Sequence, residues 1–188
     1  MVNPSRSYTP VAKLLHWLMA LVILVSAAIG IYGALFLSYG VSPAETAWKA
    51  QVITVHKSLA TTVLFLIIAR IAWRATHRPP ALLGMGPLMT RAAHGGHLLL
   101  YILMVLDPII GWANSSASGY PIPVLGLFHI PQLIAKNPAW VPTISSVHEW
   151  ISYSLLAVVA GHILFALKHT FMENDGTMES MLPSGSKR

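Results

Sequence analysis

Residues 147–170 read Val-His-Glu-Trp-Ile-Ser-Tyr-Ser-Leu-Leu-Ala-Val-Val-Ala-Gly-His-Ile-Leu-Phe-Ala-Leu-Lys-His-Thr. The stretch is long and apolar enough to cross a bilayer as one helix, with His148 near one end and His162 near the other. A spacing of fourteen is four helical turns less about 40°, so both imidazoles leave roughly one face. Along the axis they stand ~21 Å apart, most of the way across a hydrocarbon core of ~30 Å. Imidazole is expensive to bury in lipid, so both rings should turn inward towards partners. Two inward nitrogens at two depths predict two stacked metal centres.

Composition agrees with a membrane protein. Of 188 residues, 55% are hydrophobic and only 10% charged, against about 25% charged in soluble domains. Mean hydropathy is +0.63. The net charge of +6 would suggest nucleic acid for a soluble chain, but the basic residues sit at the ends of apolar runs and have a topological reading instead. No nucleic-acid partner is expected. There is no cysteine, which excludes disulfides, iron–sulfur ligation and covalent haem attachment.

Four runs are long enough to cross, at approximately Val11–Leu37, Ile53–Trp73, Met89–Trp112 and Val147–Thr170. Thr61-Thr62 and Gly95-Gly96 are small residues that let helices approach closely in lipid. Pro10 suits a helix start, and Arg78-Pro79-Pro80 closes the second run. The first run is too long for a signal peptide and lacks a good cleavage site, so it is expected to be retained.

With the N-terminus inside, Arg6, Lys13, Arg70, Arg74, Arg78, Arg91, Lys168, Lys187 and Arg188 fall on the cytoplasmic side, and only Lys49, Lys57 and Lys136 outside. That bias predicts both termini in the cytoplasm. The 77–90 connection is then cytoplasmic. The proline-rich loop 113–146 lies outside as an ordered cap or interfacial flap. The predicted fold is an all-α membrane protein, a four-transmembrane-helix bundle forming one domain over residues 1–188, in which any haems stack in the core.

These directions give each histidine a depth. His56 falls at the outer level of His148, and His16 at the inner level of His162. Two imidazole pairs at matched depths, each drawn from different helices, fit two haems with histidine on both faces. Filled axial positions favour electron transfer over oxygen binding. Ala20, Ala60 and Gly161 leave room for a flat macrocycle. His97 also lies near the inner end and could oppose His162 in place of His16.

His97, His169, Arg91 and Lys168 can gather around the inner pair, where a quinone headgroup needs donors able to bind carbonyls and deliver protons. For Arg91 and Lys168 a belt of snorkelling cations is the competing reading. Asp107 is the one carboxyl well inside a span, and Pro108 after it should kink the helix. It serves either the outer centre or only the freed backbone around the proline. Ligands split between two depths do not suit a metal-ion carrier with a midplane site.

The chain resembles the bacterial cytochrome b561 family, itself related to the membrane cytochrome b subunits of formate dehydrogenases and nickel–iron hydrogenases. The resemblance covers nearly the whole chain. It rests on Leu15-His16-Trp17, Val55-His56-Lys57, His94-Gly95-Gly96-His97 with Leu100-Tyr101, and Val147-His148-Glu149. It continues through His162 with His169, and Asn174-Asp175-Gly176-Thr177 before Met181-Leu182-Pro183.

It implies a multi-pass protein of the bacterial inner membrane binding two haem b groups, His16 with His162 at the inner iron and His56 with His148 at the outer. By the same resemblance the activity would be oxidation of superoxide at the periplasmic face with reduction of ubiquinone, and His97 and His169 would lie near the quinone. No catalytic side chain is assigned. The alternative function is a membrane anchor and electron relay for a periplasmic dehydrogenase or cytochrome, docked on the loop 113–146.

Overall fold

The computed structural model describes residues 7–80, 86–173 and 175–183. Arg6, Asn174, Lys187 and Arg188, used in the sequence reading, lie outside them. The four long helices are α1 (Pro10–Leu35), α2 (Pro43–Thr76), α3 (Pro87–Ala117) and α4 (Val141–Lys168). A π-helical turn, His169–Glu173, continues α4, and a short helix α5 (Thr177–Met181) follows. All four long helices are long and apolar enough to cross a membrane.

Each long helix carries proline in its first two positions, where a missing N–H costs nothing because no carbonyl awaits it. Side-chain caps complete two of these starts. Thr9 Oγ1 accepts from the Ala12 amide at 3.3 Å, and Ser42 Oγ from the Glu45 amide at 3.1 Å.

The helices extend differently from the apolar runs. α2 begins at Pro43, ten residues before Ile53, and α4 at Val141, six before Val147. α3 runs on to Ala117, whereas α1 stops at Leu35. An apolar run marks only what lipid covers. The polar start of α2, with its Ser42 cap and helix-favouring alanines, folds as helix without needing the bilayer. α3 stays helical through Pro108.

The segment between α3 and α4 is an ordered cap on one end of the bundle. Strands β1 (Ile122–Val124) and β2 (Phe128–Ile130) form an antiparallel hairpin packed on α2, and the Leu125 amide donates to Ser58 Oγ at 2.8 Å. A 3-10 turn at Pro138–Trp140 leads into α4.

α1 packs chiefly on α2 and α3 on α4, with α2 against α3 joining the two hairpins. α1 and α4 hardly approach one another, and space opens between them. Where the hairpins meet, Met19, Ile23, Val63, Ile67, Leu100, Met104 and Leu155 form the buried core. Helix association in lipid relies on close packing more than on hydrophobic drive. Gly33 shows this, since a Cβ there would come within 2.9 Å of Ile53 Cδ1. The expectation for Gly95 and Gly96 fails, because a Cβ at either would meet nothing within 4 Å. Both lie near the start of α3, away from its packed face. Thr61 and Thr62 donate back to the carbonyls of Lys57 and Ser58 in their own helix.

Candidate cofactor site

Each long helix presents two positions fourteen residues apart at the two ends of the bundle. They are His16 and Gly30 on α1, His56 and Arg70 on α2, His97 and Gly111 on α3, and His148 and His162 on α4. Fourteen residues return a helix to nearly the same face ~21 Å further on. One end therefore gathers His16, Arg70, His97 and His162, the other Gly30, His56, Gly111 and His148.

At the second end the ring centres of His56 and His148 lie 6.3 Å apart. His56 Nδ1 is 2.8 Å from the carbonyl oxygen of Ser26. A carbonyl can only accept, so Nδ1 carries the proton and Nε2 keeps its lone pair. Gly30 and Gly111 make room for the rings. A Cβ at Gly30 would stand 2.8 Å from His56 Cε1, and one at Gly111 3.1 Å from His148 Cε1. His148 Nδ1 is buried and lies 3.1 Å from Asp107 Oδ1, but too far off the N–H direction for a hydrogen bond. Ser152 Oγ donates to that same carboxylate oxygen at 2.6 Å.

At the first end three imidazoles meet. Ring centres are 6.1 Å apart for His16 and His162, and 5.5 Å for His97 and His162. They line a cavity of about 730 Å³ together with Arg70, Arg74, Tyr101 and Ala20, a volume suited to a drug-sized or larger ligand. Arg70 is held by the Tyr101 hydroxyl at 3.2 Å and the Ala12 carbonyl at 3.3 Å.

The C-terminal segment closes the cavity floor, with Asp175 to Met181 in its lining. Lys13 Nζ donates to the Leu182 carbonyl at 2.7 Å, Trp17 Nε1 to that of Met181 at 3.0 Å, and the Tyr8 amide to that of Ser180 at 3.0 Å.

Two imidazoles binding one metal from opposite sides, with ~2.0–2.1 Å bonds and ~1.1 Å from nitrogen to ring centre, place their centres roughly 6.2–6.4 Å apart. The 6.3 Å pair falls within that spacing and the 6.1 Å pair just below it, whereas 5.5 Å for His97 and His162 is well short of it. The nitrogen donors at both ends, and the roomy, mostly apolar cavity at the His16 end, suit a haem.

The other predicted residues are placed as follows. His169 is buried, its Nδ1 2.6 Å from both Asp175 Oδ2 and Glu173 Oε2, and Lys168 pairs with Glu173 at 2.8 Å. Burial alone would raise the Asp175 carboxyl, but hydrogen bonds from Thr177 and His169 prevail and hold it below the usual range. His169 reaches the cavity only through Asp175. Arg91 and His94 are exposed, and neither lines the cavity.

Asp107 bonds across to α4, not to the backbone around Pro108. Lys49, Lys57 and Lys136 each have a contact. Lys49 Nζ donates to the Leu37 carbonyl at 2.7 Å, Lys57 lies 5.4 Å over the Tyr120 ring, and Lys136 packs along Gly119. Sequence reasoning passed over Gly30, Gly111, Arg70, Ser26, Ser152 and the floor. The first three carried a signal in their fourteen-residue spacing.

Residues 7–184 match the family model described as prokaryotic cytochrome b561. The chain is 32% identical to "Cytochrome b561 homolog 2" of Escherichia coli (strain K12), over 98% of this chain and 95% of that protein. It is 27% identical to "Probable superoxide oxidase CybB" of Yersinia pestis, over 90% and 92%. It is also 27% identical to "Cytochrome b561 homolog 1" of Escherichia coli (strain K12), over 90% and 93%. The chain belongs to the prokaryotic cytochrome b561 family, bacterial membrane proteins that bind haem b and transfer electrons.

Proposed function

We propose that this cytochrome b561 holds two haem b groups, one between His56 and His148 and one between His16 and His162, and carries electrons from superoxide outside to ubiquinone within the membrane. The observation that carries the reading is the pair of imidazole spacings, 6.3 Å and 6.1 Å, at opposite ends of one bundle. Haem b with imidazole on both faces supplies one-electron transfer without an open position for oxygen.

The His16 end collects Lys13, Arg70, Arg74, Arg78, Arg91 and Lys168, which supports placing it, and both termini, in the cytoplasm of an inner-membrane protein. Two superoxide anions give up one electron each and leave as two molecules of oxygen. One quinone takes the two electrons with two protons and leaves as quinol. Lys49, Lys57 and Lys136 supply a positive field at the outer face that draws in the anion. On the inner side, His97 in the cavity and the His169–Asp175 couple beneath it are the donors suited to a quinone headgroup. Arg91, exposed at the membrane boundary, is suited to guiding its approach.

Purified, haem-loaded protein given a superoxide flux and a short-chain ubiquinone should form one quinol per two superoxide consumed. His169→Ala should retain both haems and form quinol more slowly. Absence of haem reduction by superoxide would reject the donor.

Gly30→Ala should also be damaging. The new methyl needs the space of the His56 ring, which is tied to Ser26 and cannot yield freely. Haem content should fall from two equivalents towards one, measured per chain by pyridine haemochrome.

A second reading is a relay subunit for a periplasmic dehydrogenase or cytochrome. The exposed apolar hairpin tip, Leu125, Leu127 and Phe128, favours it. A periplasmic subunit co-purifying in fixed ratio would establish that role.

A further inference from the structure

The two ends of the bundle differ in the charge placed beside their imidazoles. His56 gives its Nδ1 proton to a neutral backbone carbonyl, that of Ser26. His148, opposite it, has no neutral acceptor among the described residues. Its Nδ1 is buried, and the atom it faces is Asp107 Oδ1 at 3.1 Å. Asp107 sits on α3, four residues before Gly111, whose missing side chain lets the His148 ring lie against that helix. Ser152, one turn along α4 from His148, donates to Oδ1 at 2.6 Å and fixes the carboxylate from the other side. No other carboxylate lies so deep in a span. At the opposite end Arg70 and Arg74 line the cavity of His16 and His162, with Asp175 and Glu179 in its floor.

The geometry points to Asp107 as a positioning residue that takes the Nδ1 proton of His148 in a charge-assisted hydrogen bond and holds the outer haem at a lower midpoint potential than it would otherwise have. This rests on the assignment of a haem to His56 and His148. The 3.1 Å separation is within hydrogen-bond reach once the ring turns its N–H towards Oδ1, leaving Nε2 free to hold a metal. A carboxylate behind an imidazole makes the nitrogen on the far side a stronger donor, as in the carboxylate–histidine–metal arrangements of other sites. Stronger donation and a nearby negative charge both favour the oxidised metal.

Arg70 and Arg74 act in the opposite sense at the inner end, since cations favour the state with the added electron. The fold thus sets a carboxylate beside one imidazole at the end where electrons enter, and guanidinium groups in the cavity where they leave. Electron flow inward is downhill by construction, and Asp107 is the one side chain of this device on the entry side.

The test is an anaerobic potentiometric titration of the haem-loaded protein, with visible spectra and electron paramagnetic resonance of the ferric haems, comparing wild type with Asp107→Leu and Asp107→Asn. In the leucine variant one midpoint should rise and the other stay within error, with two haems per chain retained. The low-spin signal of the moved haem should shift, because that signal reports the donor strength of its axial imidazoles. Asparagine keeps a neutral acceptor and should fall between leucine and wild type. Should the leucine variant fail to accumulate, asparagine decides with the same readouts.

Two haems retained with both midpoints and both signals unchanged would overturn the role of Asp107. Wild-type protein holding fewer than two haems is a distinct outcome, which removes the assignment on which the role rests.

Discussion

Replacing His148 by alanine should strip one haem b from the protein and leave the other in place. Pyridine haemochrome should read one equivalent per chain where wild type reads two. The effect is expected to be large because, in the proposed arrangement, the ring would supply one of two metal bonds at its end, and no spare imidazole lies near it. The candidates at that level are His56, tied to Ser26 at 2.8 Å, and two glycines that offer nothing. The substitution also leaves Asp107 without its ring, a half-buried carboxylate kept by Ser152, so some loss of stability should accompany the loss of haem. The other site should be spared, since its ligands lie ~21 Å away along the helix axes. His56→Ala should give the same spectrum.

His162→Ala should remove the complementary haem, and here the neighbourhood makes the result more informative. His162 is the imidazole that faces both of the others, at 6.1 Å from His16 and 5.5 Å from His97. Its loss cannot be made good by keeping either one. His16→Ala should behave alike, whereas His97→Ala should keep two haems, because its spacing to His162 is short for opposite faces of one metal. Loss of haem in His97→Ala with retention in His16→Ala would reverse the assignment. Difference spectra against His148→Ala identify which haem remains in each variant.

Much of this site is legible in the sequence alone. Polar rings inside an apolar helix must find partners, and helix direction then fixes which rings share a depth. That logic puts His56 beside His148 and either His16 or His97 beside His162, and all three contacts occur in space. It left His16 and His97 unranked, because sequence gives depth and face but not the separation of ring centres. The glycines opposite the rings escaped for another reason. Gly30 and Gly111 matter through volume they do not fill, which leaves no trace in hydropathy. They share the fourteen-residue register of the histidines, and that register was open to inspection on all four helices.

Helix ends were misjudged where polar sequence remains helical, as over the first ten residues of α2. The hairpin at 122–130 escaped because three-residue strands carry too little alternation to register. The floor of the cavity escaped because its bonds are made by backbone carbonyls of Ser180, Met181 and Leu182, which any residue type could supply.

The placement of charge gives the bundle a direction as well as two sites. A carboxylate stands behind the outer histidine, and guanidinium groups line the inner cavity. In the proposed function, field and ligation would act together to favour electron transfer towards the end where His97 and His169 lie.

The most direct test of the whole account is a count of haem b in the isolated wild-type protein, made by pyridine haemochrome against amino-acid analysis after expression with ample haem. Two haems for each polypeptide are expected. A colourless protein, or one holding a single haem, would contradict it.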